Sequence, residues 1–89
     1  MGLYRIAFQH KGEREFGDLP PDVRRRFSAA FEELAENPFR ARPKCDVRRL
    51  KGERGAFAVR VGDYRGTFVV VGDTVWFLTF AHRSVAYRG

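Results

Sequence analysis

FAVRVGDYR, from Phe57 to Arg65, holds two strand-like segments that meet at Gly62-Asp63. Glycine followed by aspartate between apolar alternating runs is a two-residue hairpin signal. In such a hairpin residue 61 faces 64, so Arg60 faces Arg65 on the same side of the sheet. Like charges directly opposite one another oppose strand pairing. The pair is therefore either splayed into water, tied up by Asp63 or Glu53, or held for an anion. Alternation sorts the faces: Phe57, Val59 and Val61 form a bulky set with Tyr64, Gly66, Phe68 and Val70, while Ala56, Ala58 and Arg60 share the other face with Arg65, Thr67 and Val69.

Working outward, strands are expected at 56–61, 64–71 and 74–82, separated by Gly62-Asp63 and Gly72-Asp73. The last strand is apolar on both sides. If Trp76, Leu78 and Phe80 are core, then Thr79, Ala81 and Arg83 lie with Arg60 and Arg65. That parity needs an odd-length loop or a bulge near Gly72 to Val75. Upstream, Tyr4, Ile6 and Phe8 alternate in a first strand. His10 to Gly17 reads as a short helix interrupted by Gly12. Pro20-Pro21 opens a longer helix, with Pro21 near its first position, where a missing N–H is harmless. Val23, Phe27, Ala30, Phe31 and Leu34 form its apolar stripe, and Asn37-Pro38 ends it. Residues 38–46 read as a loop, Val47 to Leu50 as a short extended segment and Lys51 to Gly55 as a turn. The expected fold is α+β: a small antiparallel β-sheet packed against an N-terminal helical hairpin, in two layers.

The chain has 89 residues, enough for one domain spanning 1–89, and 44% of them are hydrophobic, which argues against disorder. No apolar run approaches the roughly 20 residues that span a bilayer. The first strand begins almost at the N-terminus, so no signal peptide is expected. Cys45 is the only cysteine, which rules out an internal disulfide and a cysteine-built metal site. No cofactor or metal is expected, and a reducing cytoplasm is the simplest location. The net charge is +6, and it is local: residues 40–65 carry nine basic side chains against Asp46, Glu53 and Asp63. Those nine include Arg48, Arg49, Lys51 and Arg54 around the turn, as well as Arg60 and Arg65. Arginine dominates, and its planar fork suits phosphate. The density points to a nucleic acid or an acidic protein as partner.

These residues, in this order, resemble the RelE toxins of the RelE/ParE superfamily, the toxin halves of toxin–antitoxin pairs. The resemblance covers nearly the whole chain. It rests on Tyr4-Arg5-Ile6, Leu19-Pro20 before the long helix, Asn37-Pro38 after it, Leu50-Lys51-Gly52, Val59 to Arg65, His82-Arg83 and Tyr87. It implies a sheet curved around a helical hairpin. It also implies a ribosome-dependent endoribonuclease that enters the A site and cuts messenger RNA, with a cognate antitoxin as partner. In that chemistry the ribose 2′-OH attacks the adjacent phosphate, leaving a 2′,3′-cyclic phosphate and a free 5′-OH. The step requires a base, cations for the phosphorane charge and an acid for the leaving oxygen.

Carried over by position, Arg65 and Arg83 would stabilise the phosphate, and Tyr87 would stack on a base or orient the nucleophile. Arg60 stands where the family often has lysine or arginine. Arg48, Arg49, Lys51 and Arg54 would bind RNA or the ribosome. Ala58 departs from the pattern, since many active members carry a second basic residue there, and Phe57 replaces a frequent tyrosine. Arginine stays protonated, so Arg60 is a poor base. His82 is the candidate for proton transfer, because histidine is the side-chain type that titrates near neutrality; otherwise it caps the last strand. Tyr87 could equally pack the C-terminal edge. Two further readings stay open: a ParE-like inhibitor of DNA gyrase, and a degenerate toxin that binds antitoxin without cutting RNA.

Overall fold

The computed structural model describes residues 3–42, 45–50 and 55–86, the side chains of 85 and 86 excepted. Lys51, Arg54 and Tyr87, three of the candidate site residues, lie outside the described residues. The elements run β1 (Arg5–Phe8), α1 (His10–Gly17), α2 (Pro21–Glu36), β2 (Asp46–Arg49), β3 (Ala56–Val61), β4 (Tyr64–Val71), β5 (Thr74–His82) and α3 (Arg83–Ala86). The sheet order is β1-β5-β4-β3-β2. From β5 to β2 every pairing is antiparallel. β1 corrects the purely antiparallel expectation, since it runs parallel to β5, with Arg5 opposite Thr74 and Phe8 opposite Phe77. Alternation in a strand reports which face is buried, not which neighbour it takes or in which direction. A parallel neighbour needs a long connection, and both helices and three strands lie between β1 and β5.

The helices cover the bulky face. Val23, Phe27, Ala30 and Leu34 of α2 are buried, and with Val47, Phe57, Val59, Val61, Phe68, Val75, Phe77 and Phe80 they make one core. Phe27, Phe68 and Phe77 have no exposed surface. Burial of each such ring contributes on the order of 2–3 kcal/mol. Pro21 occupies the first turn of α2, as its missing N–H allows. At the other end Arg42 bonds back to the carbonyl oxygens of Glu33 and Asn37. A cation thus adds to the Asn37 N–H bond on the Glu33 carbonyl and satisfies the Asn37 carbonyl beyond the helix end, where positive charge is favourable. One of the nine clustered basic residues is therefore structural.

β5 departs from the expected parity. Its loop is two residues, Gly72-Asp73, so Val75 and Phe77 face the core. The irregularity falls further along: Phe68 pairs with Phe77 but Thr67 with Thr79, leaving Leu78 as an extra residue. Phe80 returns to the core after this bulge, while Trp76 and Leu78 are only half-buried. The bulge sits where β1 ends, and α1 covers the sheet edge beyond it. A β-carbon at Gly12 would lie 2.6 Å from the Phe77 carbonyl oxygen, so only glycine lets α1 approach this closely. The Glu15 carboxylate accepts hydrogen bonds from the Thr79 hydroxyl (2.6 Å) and the Phe80 N–H (3.1 Å). An exposed edge is thereby capped by a helix rather than left to pair with another chain.

Cys45 lies just before β2 and is 1% exposed. Burial pushes its thiol up from the ordinary 9.0 to about 11, against a smaller lowering by Arg42. The protein is expected to resist alkylation near pH 9.0 until it is unfolded, as timed mass spectrometry with and without denaturant would show. Rapid modification of native protein would contradict the burial. Because the folded-state value is raised, the thiol's contribution to stability is complete below pH 9.0 and is lost as pH rises towards 11.

Candidate nucleic-acid interface

The hairpin of β3 and β4 closes at Gly62-Asp63, with Gly62 at a φ of 58° and no non-glycine residue at positive φ among the described residues. Positive φ at the first loop position alone is the pattern of a II′ turn, whose twist matches the flanking strands. The register is the expected one: Val61 opposite Tyr64 and Arg60 opposite Arg65. Asp46 stands opposite Arg60 on β2, and Ala81 opposite Arg65 on β5. One row across the sheet therefore reads Asp46, Arg60, Arg65, Ala81. The next row on the same face reads Arg48, Ala58, Thr67, Thr79.

Asp46, Arg48, Arg49, Ala58, Arg60 and Arg65 line a cleft of about 190 Å³ on this face. Ala58 is 5% exposed and forms its floor, short beside the longer side chains in both rows. Arg60 and Arg48 reach outward and share one carboxylate: Arg60 Nη2 lies 3.2 Å from Asp46 Oδ2, and Arg48 Nε donates to Asp46 Oδ1 at 3.3 Å. The sequence reading considered Asp63 or Glu53 as the acid for Arg60; among the described residues the acid beside Arg60 is Asp46, and Glu53 lies outside them. Arg49 lies at the end of β2, its guanidinium 5.8 Å from the centre of the Phe57 ring, a cation–π distance. Arg48, Arg60 and Arg65, with Asp46 beside them, surround a small concavity that can hold a phosphate, because guanidinium forks match its oxygens, whereas the Arg49 guanidinium goes with Phe57.

The other candidates stand elsewhere. Arg83 is not on the last strand but begins α3, on the rim. Its backbone N–H donates to the Asp63 carbonyl, and its guanidinium lies 3.7 Å from the Asp63 carboxylate. His82 pairs with Tyr64, so it faces the bulky side rather than the Arg60 and Arg65 side. Its ring meets Tyr64 edge-on at 5.1 Å. The Ser84 N–H donates to His82 Nδ1 at 3.2 Å, which makes the imidazole the N-cap of α3. The Ser84 hydroxyl lies 2.9 Å from the same nitrogen. Asp46 is the residue that the sequence reading missed at this site. Its register depends on where β2 pairs across a six-residue connection, which alternation alone does not fix. Among the described residues, no group of three or more His, Cys, Asp or Glu could hold a metal ion, and no helix is long and apolar enough to cross a membrane.

Known proteins share this architecture. The family described as ParE toxin of type II toxin-antitoxin system, parDE, matches residues 7–87. RelE1 of Methanocaldococcus jannaschii is 37% identical over 70 residues, 79% of this chain and 77% of that protein. The toxin in the RelB-RelE antitoxin-toxin complex from Methanococcus jannaschii superposes with a TM-score of 0.75 at 28% identity, covering 91% of this chain and 94% of that one. The archaeal RelE-RelB complex from Pyrococcus horikoshii OT3 also gives 0.75, at 26% identity over 98% and 99% of the two chains. The chain belongs to the RelE/ParE family of toxins of type II toxin–antitoxin systems. The family description carries the ParE name and the individual relatives the RelE name, so membership is established at the level that joins them.

Proposed function

We infer that this toxin is a ribosome-dependent endoribonuclease that cuts messenger RNA in the A site and so stops translation in the cytoplasm. The observation that carries the reading is the direct pairing of Arg60 with Arg65 in a cleft lined also by Arg48 and Arg49. Two guanidiniums at neighbouring cross-strand positions bracket a single phosphate. They would stabilise the extra negative charge that develops when the 2′-OH attacks, the kind of preorganised electrostatic contribution that dominates many enzymatic rate enhancements. Arg48 and Arg49, with Lys51 and Arg54, would hold the flanking RNA or ribosome. Arg83 would also stabilise the phosphate, and Tyr87 would stack on a base or orient the nucleophile.

No well-placed base faces Arg60 and Arg65 from His82, so the ribosome would supply the alignment of 2′-OH and phosphate. Free RNA is then a poor substrate. His82 acts through α3, which carries Arg83: His82→Asn, which retains a good cap, is expected to keep cleavage within about threefold, whereas His82→Ala loses the cap at a cost of about 1 kcal/mol. Equal and large losses in both variants, measured on ribosomes, would instead assign His82 to proton transfer.

The partner would be a cognate antitoxin that covers the basic face. The toxins of the Methanococcus jannaschii and Pyrococcus horikoshii complexes are each bound to a RelB antitoxin. Two observations favour other readings. Ala58, where a second cation often stands, favours a toxin that no longer cuts, and the ParE name of the matching family favours gyrase inhibition. Parallel assays separate them: purified protein should arrest cell-free translation and leave gyrase supercoiling untouched. Arrested supercoiling with unaffected translation would select the gyrase reading.

A further inference from the structure

The cleft contains its own anion. Asp46 is the only acid among its described lining residues, and each oxygen of its carboxylate engages a different arginine, Arg60 at 3.2 Å and Arg48 at 3.3 Å. A carboxylate held this way offers the same two-oxygen acceptor that a phosphodiester offers through its non-bridging oxygens. Asp46 also stands directly opposite Arg60, so the row across the sheet carries one negative and two adjacent positive charges. The pair geometry therefore offsets part of the repulsion that Arg60 and Arg65 impose on one another.

We propose that Asp46 is an internal competitor for the phosphate site, holding Arg60 and Arg48 in the ligand-free protein until an RNA phosphodiester displaces it. The inference rests on reading the cleft as a phosphate site. Both partners are substantially exposed, 55% for the Arg60 side chain and 35% for Asp46. Exposed ion pairs contribute at most about 1 kcal/mol, so the displacement is easy and reversible. A phosphate bracketed by Arg60 and Arg65 competes with the carboxylate for Arg60, the one guanidinium that both anions would use. The consequence is discrimination. Basic clusters bind any polyphosphate through counterion release, and an internal carboxylate weakens that indiscriminate binding. A phosphate that is already positioned, with less freedom to lose, competes better than one on a flexible strand.

The test uses a fluorescent 2′-O-methyl RNA oligonucleotide, which cannot be cut by 2′-OH attack, and anisotropy titrations with the full-length protein. Asp46→Asn keeps the shape while removing the charge and turning one of the two acceptor oxygens into a donor amide. It is expected to bind about fivefold tighter than the unsubstituted protein, the factor that about 1 kcal/mol represents. Asp73→Asn is the control: Asp73 pairs with Arg5 at the opposite end of β4, and its loss changes net charge equally. It should alter binding less than about twofold. Equal gains in both variants would reduce the effect to net charge and overturn the proposal. So would an Asp46→Asn protein that binds more weakly, as expected if Asp46 contacts the RNA itself, or no tighter, whether or not the parent binds. Cleavage of messages on ribosomes by the unsubstituted protein is independent of this result, so the ribonuclease reading stands or falls separately.

Discussion

Alanine at both Arg60 and Arg65 is expected to lower message cleavage on ribosomes by about a hundredfold to a thousandfold per essential cation, without unfolding the protein. The two side chains stand at directly paired positions and line the same cleft. Neither is in the core: Arg60 is exposed and Arg65 half-buried. Their removal relieves a like-charge pairing and, at Arg60, gives up an exposed ion pair with Asp46, two small effects of opposite sign. Loss of activity with an unchanged melting curve would therefore report chemistry or binding rather than folding. Single variants divide the effect. If Arg60 and Arg65 grip the same phosphate, the double variant should lose less than the sum of the two single losses, in free-energy terms. A double variant that still cuts at the parent rate would remove the cleft from the mechanism.

Phe77→Ala is expected to destabilise the fold by about 3–5 kcal/mol. Phe77 has no exposed surface and meets four other rings: Phe31 at 4.8 Å, Phe80 at 5.0 Å, Phe68 at 5.3 Å and Phe8 at 6.0 Å between centroids. It is also the last core residue before the Leu78 bulge, and its carbonyl receives the Gln9 N–H at the start of α1. The cavity would thus open where β1, α1, α2 and β5 converge. Against the 5–15 kcal/mol typical of whole domains, such a loss leaves little margin. Urea titration followed by the fluorescence of Trp76, the single tryptophan, measures it directly. A loss below about 0.5 kcal/mol, the range of ordinary surface substitutions, would show that Phe77 is not packed as described.

The Gly62-Asp63 hairpin was legible because loop length and alternation together leave one register open, and the observed Arg60 to Arg65 pairing follows from counting. The α2 stripe was legible for the same kind of reason, since Val23, Phe27, Ala30 and Leu34 repeat at helical period. Local pattern failed where the deciding partner is remote in sequence. β1 alternates equally well beside any strand, and its parallel position next to β5 is a property of the whole topology. The Leu78 bulge is fixed by the end of β1 and by α1 closing over the edge, neither of which is visible in an apolar run such as Val75 to Ala81. That bulge decides two site residues at once. It returns Ala81 to the Arg65 face and sends His82 to the other, while Arg83 leaves the strand altogether. Asp46 was overlooked because a single acid inside a basic stretch reads as dilution of charge. Its importance comes from standing opposite Arg60, and only the pairing of β2 with β3 puts it there.

The role proposed for the paired arginines is RNA cleavage on the ribosome. Primer extension on a defined message, in a cell-free translation reaction containing the purified protein, tests it most directly. New ends are expected within codons of the translated region, absent when ribosomes are omitted and absent with the Arg60→Ala/Arg65→Ala protein. An intact message under continuing translation would contradict that role.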